Sequence, residues 1–269
     1  MADKEILYSK EDGIGIITFN RPEKMNSITD DMLADLTNLL NEITLDSEVR
    51  ALILTGNGRA FCGGTDLSTG VSRDQAKAAA ERAAKIKKVD LPETTLPHWT
   101  FTHLPIPTIA AVNGAAVGMG AEWTAQCDIR IASDKARFGW VFPKRGITPD
   151  TGAGPYLLPY IVGLANALEL MYSGDIIDAE EAKRIGLVSK VVPPDELIPT
   201  AREMALKISS GAPLSLKGIK ALTYGSLEWP YAKHMEQNGV HFKRTTSSED
   251  SKEGVASFFE KRPPVWKGR

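Results

Sequence analysis

Apolar positions recur along this chain in two ways. Unbroken short runs, Ile14–Phe19 (IGIITF), Ala51–Thr55 (ALILT), Thr108–Val112 (TIAAV) and Ile129–Ala132 (IRIA), read as strands bounded by turn residues. Between the first two, Met32, Leu33, Leu36, Leu39, Leu40 and Ile43 fall at helical spacing, with Thr29 as N-cap and Asp30 and Asp31 in the first turn. Apolar strands separated by helices predict an α/β fold with largely parallel strands. Two regions depart from this rhythm. Residues 66–103 hold an Ala/Lys/Arg helix pattern, Asp74–Lys88, and a Pro/Thr-rich connection, Leu91–Pro107, with few large apolar side chains. A mobile surface segment, a wall or lid of a pocket, is expected there. After Val192 only helical patterns remain: 196–209, 213–224, 229–245 and 248–261. Such a tail, without a strong core of its own, is expected to dock on its own domain or on a neighbouring subunit.

Composition narrows the classes. The 269 residues carry 32 basic and 34 acidic side chains, a formal charge of -2. That balance offers no field for a polyanion or a polybasic membrane anchor, so neither nucleic acid nor membrane is expected as a partner. The charged start (MADKEILYSK) does not read as a signal peptide, and no apolar run is long enough to span a bilayer. Two cysteines, Cys62 and Cys127, read as reduced thiols of a cytoplasmic protein, and neither is expected to do chemistry. The four histidines show no metal-ligand spacing, so no metal is expected.

Chemistry is concentrated in glycine-containing turns that follow strands. Gly56–Asp66 (GNGRAFCGGTD) lacks the Gly-Lys-Ser/Thr ending of a phosphate-binding loop, but its Gly63–Gly64 pair permits a turn with outward N–H groups. Asn113–Gly120 (NGAAVGMG) leads into a helix, and its glycines allow close approach of backbone or ligand. One outward N–H from each turn would make an oxyanion hole for a polarised carbonyl. The same turns would serve equally as plain connections. Glu122, flanked by Ala121, Trp123, Ala125 and Cys127, reads either as a desolvated proton-transfer carboxylate or as a helix-terminal acid. Asp150, in Arg145–Gly154 (RGITPDTGAG), reads as a turn former or as a second catalytic carboxylate.

Taken together, these residues resemble the crotonase (enoyl-CoA hydratase/isomerase) superfamily over nearly the whole chain. The landmarks are NRPEKMN (20–26), FCGGTDL (61–67), IAAVNGAAVGMG (109–120), CDIRIA (127–132), LPYIVG (158–163), SGD with Gly174, AEEAKRIGLV (179–188) and EDSKEGVASFFEKR (249–262). The resemblance implies a ββα superhelix core, residues 1–192, and a C-terminal helical region, residues 193–269, that packs as a homotrimer or a dimer of trimers. It implies an acyl-CoA thioester whose enolate is stabilised by the backbone N–H groups of Thr65 and Met119. Coenzyme A, part of the substrate rather than a resident cofactor, would be met by Lys24, Met25, Cys62, Gly64, Asp66 and Leu67. Phe258 and Lys261 would contribute from a neighbouring subunit.

Glu122 matches one glutamate of the family's hydratases, whereas their second falls at Phe142 and is missing. Asp150 matches instead the position of the catalytic Asp or Glu of several isomerases, and of hydrolases and a dehalogenase. The dehalogenase's histidine would align with Trp99, next to His98. The expectation is an enoyl-CoA hydratase/isomerase-type enzyme using Glu122 and Asp150. Its rivals are an acyl-CoA hydrolase using Asp150 and a binding protein without turnover. Trp99, Trp123, Trp140, Phe142 and Tyr156 are the candidate acyl-pocket side chains, and together would suit a bulky or cyclic acyl group.

Overall fold

The structure is a computed structural model that describes residues 4–67, 75–89 and 100–269. Strand β1 (Ile6–Glu11) pairs antiparallel with β2 (Ile14–Phe19) across Asp12 and Gly13, both at positive φ, as a tight two-residue hairpin demands. Helix α1 (Asp30–Leu45) follows, its first turn capped by the Thr29 hydroxyl, which accepts from the Met32 N–H, as the sequence predicts. The chain then repeats one unit: a strand in a large sheet, a short strand in a second sheet, a helix. The units are β3 (Ala51–Gly56), β4 (Ala60–Cys62) and α2 (Gln75–Lys85); then β5 (Thr108–Val112), β6 (Ala115–Val117) and α3 (Met119–Gln126). The third is β7 (Ile129–Ser133), β8 (Arg137–Gly139) and α4 (Ala153–Val162), continued by α5 (Leu164–Ser173). After β9 (Ile176–Asp178), α6 (Ala179–Arg184) and β10 (Lys190–Val192), only helices follow: α7 (Leu197–Ser209), α8 (Pro213–Gly225), α9 (Tyr231–Thr246) and α10 (Glu249–Glu260).

Among the described residues the large sheet runs β1-β2-β3-β5-β7-β10, parallel from β2 onward, and the small one runs β4-β6-β8-β9. The unbroken apolar runs have a direct cause. Leu52, Leu54, Ala110 and Val112 face a core shared with α1, α3 and the small sheet, while Ala51, Ile53, Ile109 and Ala111 face α7. A strand buried on both faces needs apolar residues at every position. Helix α7 meets the sheet through Ala201 and Ala205, whose small side chains let it lie close. Part of residues 66–103 departs from the surface expectation. Asp66, Phe101 and Thr102 are buried, and the Phe101 ring packs edge-on to Trp123. Residues 68–74 and 90–99 of that stretch lie outside the described residues.

The C-terminal helices begin and end close to where the apolar spacing places them. Helix α8 is tied to the core by an ion pair between buried Lys220 and half-buried Asp128, Nζ to Oδ2 at 2.9 Å. Lys220 also donates to the Ile106 carbonyl, and Asp128 accepts from the Thr108 N–H, the Thr108 hydroxyl and the Tyr224 hydroxyl. Removing one partner of such a pair leaves a charge in the interior. Lys220→Met is therefore expected to cost about 3 kcal/mol of stability in urea unfolding; an unchanged midpoint would mean that this pair does not hold α8 in place.

Candidate active site

The first turn is set by its neighbours' backbones. The Gly63 N–H donates to the Met25 carbonyl and the Asp66 N–H to the Ile28 carbonyl, each at 2.8 Å, and the Ile28 N–H donates to the Gly64 carbonyl. A trans peptide is planar with its C=O and N–H opposed. Because the Gly64 C=O points at Ile28, the Thr65 N–H points the other way. The second turn repeats the logic at the start of α3. The Gly118 carbonyl accepts from the Glu122 N–H at 3.0 Å, so the Met119 N–H points outward from the helix start. Neither N–H is taken up by a backbone acceptor among the described residues.

The two turns touch. Gly64 has φ +96°, and a Cβ there would lie 3.0 Å from the Val117 carbonyl and 3.6 Å from the Met119 nitrogen. Gly120 is tighter still, since its Cβ would fall 2.1 Å from the Cys62 carbonyl. Asn26, fully buried, pins the first turn from behind: it accepts from the Arg21 N–H and donates to the Asn57 and Ala60 carbonyls. Asn113 reaches the same Ala60 carbonyl from β5. Sequence reasoning marks Asn26 as a landmark but misses this anchoring; its signal is an Asn at positive φ closing the NRPEKMN loop.

Glu122 lies one turn into α3 with no accessible surface. Its Oε1 accepts from the Trp140 indole N–H at 2.8 Å, and its Oε2 from the Thr151 hydroxyl at 2.5 Å and the Gly154 N–H at 3.0 Å. Burial raises its pKa above the ordinary glutamate value, the three donors pull it back, and nearby Asp150 adds to the rise. Trp140, Thr151 and Gly154 stand 18, 29 and 32 residues from Glu122, so no local pattern announces them.

Asp150 is exposed beside the first turn, its Oδ2 3.5 Å from the Thr65 hydroxyl. Its pKa is also raised, chiefly by desolvation, against hydrogen bonds from backbone N–H groups and Thr65. The structure thus brings Thr65, Met119, Glu122 and Asp150 into one locality, with the Asp150 charge felt at Glu122. Two acids of raised pKa stand beside two outward amide donors, an arrangement whose chemistry would suit proton transfer.

Other expected positions separate into those that can reach a ligand and those that cannot. Lys24 and Leu67 are exposed, and Met25 lies against Gly63. The Cys62 side chain is buried in β4 and Asp66 is held by Arg21 at 3.1 Å, which leaves their main chains, not their side chains, to a ligand. Burial pushes the Cys62 and Cys127 thiols up to about 12, so both are inert. Phe258 and Lys261 are exposed on and just after α10, which packs on α9 and against the chain's last residues.

The acyl-pocket expectation needs correcting. Trp123 is core, stacked on Phe19 at 5.2 Å and edge-on to Phe101. Trp140 and Phe142 are buried as well, and Trp140 spends its indole N–H on Glu122. Tyr156 is half-buried, and Trp99 lies outside the described residues. Trp123, Trp140 and Phe142 fill the interior, so these three give no case for a bulky acyl group.

Comparison with known proteins gives the family. The family model described as enoyl-CoA hydratase/isomerase matches residues 9–269. The short-chain-enoyl-CoA hydratase of Clostridium acetobutylicum is 37% identical, covering 96% of this chain and 95% of the relative. The crotonyl-CoA hydratase of Syntrophomonas wolfei is 35% identical, covering 97% of each. A crystal structure of enoyl-CoA hydratase from Bacillus anthracis superposes with TM-score 0.88 at 32% identity, over 99% of this chain and all of that one. With this fold, this pair of turns and these relatives, the chain belongs to the enoyl-CoA hydratase/isomerase family of enzymes.

Proposed function

We propose that the substrate's thioester oxygen is held by the N–H groups of Thr65 and Met119, and that Glu122 and Asp150 carry the proton transfers on either side of the resulting enolate. The observation that carries this reading is the meeting of the two turns, each with an outward N–H and a carboxylate beside it: Asp150 at the Thr65 hydroxyl, Glu122 one turn after Met119. Negative charge developing on the oxygen would be met by fixed dipoles that need no rearrangement, a contribution of about 2.7–4 kcal/mol for each donor. If water adds, the product is a 3-hydroxyacyl-CoA; if only a proton moves, the double bond migrates. The relatives' names favour water addition. The buried phenyl ring of Phe142, where the family's hydratases carry their second glutamate, favours proton movement. Coenzyme A would enter as part of the substrate along Lys24, Met25 and Leu67, with no other cofactor or metal invoked.

The same reading gives the C-terminal helices a purpose. Met235, Val240 and Phe242 on α9, and Val255, Phe258 and Phe259 on α10, are exposed, and α9 buries none of its own side chains. We assign this apolar surface to packing between copies in a homotrimer or a dimer of trimers, the helical region 193–269 serving assembly, with Phe258 and Lys261 reaching a neighbouring copy's coenzyme A. A cytoplasmic site belongs to the same proposal, on the two buried, unbridged thiols; among the described residues no helix is long and apolar enough to cross a membrane.

Glu122→Gln and Asp150→Asn, made separately, are each expected to lower kcat on an enoyl-CoA by at least ~10²-fold. A variant that keeps full turnover removes its residue from the mechanism. Because desolvation raises both carboxylates, activity is expected to fall on acidification at a pH above the ordinary carboxylate range of about 4; an acid limb at or below that value would mean that desolvation does not tune the pair. Sedimentation velocity is expected to give three or six chain masses, and a stable monomer would contradict the role assigned to α9 and α10.

A further inference from the structure

A second concentration of charge lies at the other end of the sheet from the paired turns. Strands β3 and β5 begin at Ala51 and Thr108, and the residues just before them, Arg50 and Pro107, line a cavity of about 310 Å³. Its other walls are the end of α1, the start of α8, Arg244 from α9 and the chain's last residues. Part of the lining is apolar, with Ile106, Leu216 and Trp266, and Trp266 is fixed by donating its indole N–H to the Ser210 carbonyl at 2.6 Å.

The rest is dominated by positive charge. Lys217 on α8 and Arg244 on α9 both line the cavity, and neither side chain has an ion pair or a hydrogen bond among the described residues. Burial and the Arg244 guanidinium lower the Lys217 pKa, and His241, beside Gly218, is lowered by burial and by both cations. The acids nearby are already engaged. Asp46 is held by Lys10 at 2.8 Å, and Asp250, whose charge reaches Arg50, accepts from the Lys267 and Gly268 N–H groups. Glu249 pairs with Lys267, a further cation of the lining, at 3.0 Å. Arg50 gives its Nη2 to the Ser209 and Gly211 carbonyls, and its buried Nε has no hydrogen-bond partner among the described residues.

We propose that this cavity binds a small amphipathic phosphate, its phosphomonoester group held between Lys217 and Arg244 and its apolar body laid against Ile106, Leu216 and Trp266. Two neighbouring cations repel until a counter-charge joins them, and a phosphomonoester brings a charge of about -1.5 to -2 near neutral pH, enough to match both. A forked guanidinium and a rotatable ammonium suit its three acceptor oxygens better than the two of a carboxylate. Arg50 adds fixed positive charge, partly answered by Asp250. None of these residues takes part in the proton transfers or meets coenzyme A, so the site is separate from the candidate active site.

The test is isothermal titration calorimetry of the intact protein with phenyl phosphate, in saturating coenzyme A so that the active site cannot take up the phosphate. Binding is expected at millimolar concentration or below, weakening as salt is raised. Lys217→Met and Arg244→Met are each expected to weaken it at least ~10-fold, and Lys217→Arg, which keeps the charge, to retain most of it. Enoyl-CoA turnover is expected to be unchanged in all three, so that lost binding is not lost fold. Inorganic phosphate, which lacks the apolar body, and benzyl alcohol, which lacks the charge, are each expected to bind at least ~10-fold more weakly than phenyl phosphate. No binding of phenyl phosphate at millimolar concentration would overturn the proposal. So would binding that Lys217→Met and Arg244→Met leave intact, or inorganic phosphate bound as tightly as phenyl phosphate. If Lys217→Met does not fold, Arg244→Met, at an exposed position, and the comparison of ligands on the wild type decide the matter.

Discussion

A carboxylate with no accessible surface must find much of its solvation in the protein, and much of this structure follows from where Glu122 finds it. An unpaired charge there would be untenable, so donors have to converge from several elements. Trp140 comes from just beyond β8, Thr151 from the loop that carries Asp150, and Gly154 from the start of α4. Gln126, one turn further along α3, donates in turn to the Thr151 hydroxyl. One buried group thereby fixes α3 against α4 and sets the loop on which Asp150 stands. The carboxylate pair is in this sense a single construction: the bonds that solvate one member place the other.

The amide donors depend on a second constraint, the planarity of the peptide. Each turn spends one carbonyl on a backbone partner, Gly64 on Ile28 and Gly118 on Glu122, and the opposed N–H is left facing outward. Glycine is required where the turns meet because no Cβ fits between them. The repeated strand–short strand–helix unit supplies two such turns side by side, since β4 and β6 are parallel neighbours in the small sheet. The fold's repetition and the two-donor arrangement are thus one fact seen at two scales. Helix N-terminal geometry adds a favourable field for an anionic oxygen at Met119.

What the sequence made legible follows from periodicity. Strands buried on both faces appear as unbroken apolar runs, and α1 and the C-terminal helices appear as helical spacing with capping residues. Strand β1 is missed because, as an exposed edge, it reads ILYSKE with one face barely covered. Strands β4, β6, β8, β9 and β10 are three residues each, too short for any period to show. The burial of Glu122 was legible from its apolar neighbours, and Thr65, Met119 and Asp150 from the resemblance. The partners of Glu122 were not, because Trp140 looks like any core aromatic and Thr151 like any turn residue until the fold brings them together. The same blindness makes Trp123 and Phe142 read as pocket walls when they are core. Lys220 and Asp128 escape for the same reason, lying on separate elements with only the interior in common.

The claim beneath all of this is that the site turns an enoyl-CoA over through a thioester enolate without breaking the thioester. The most direct measurement is mass spectrometry of the products of an enoyl-CoA panel incubated with the protein in heavy-oxygen water. The expected result is either one labelled water added to an intact acyl-CoA or a rearranged acyl-CoA of unchanged mass. Release of free coenzyme A with label in a carboxylic acid would contradict it, and so would a panel recovered wholly unchanged.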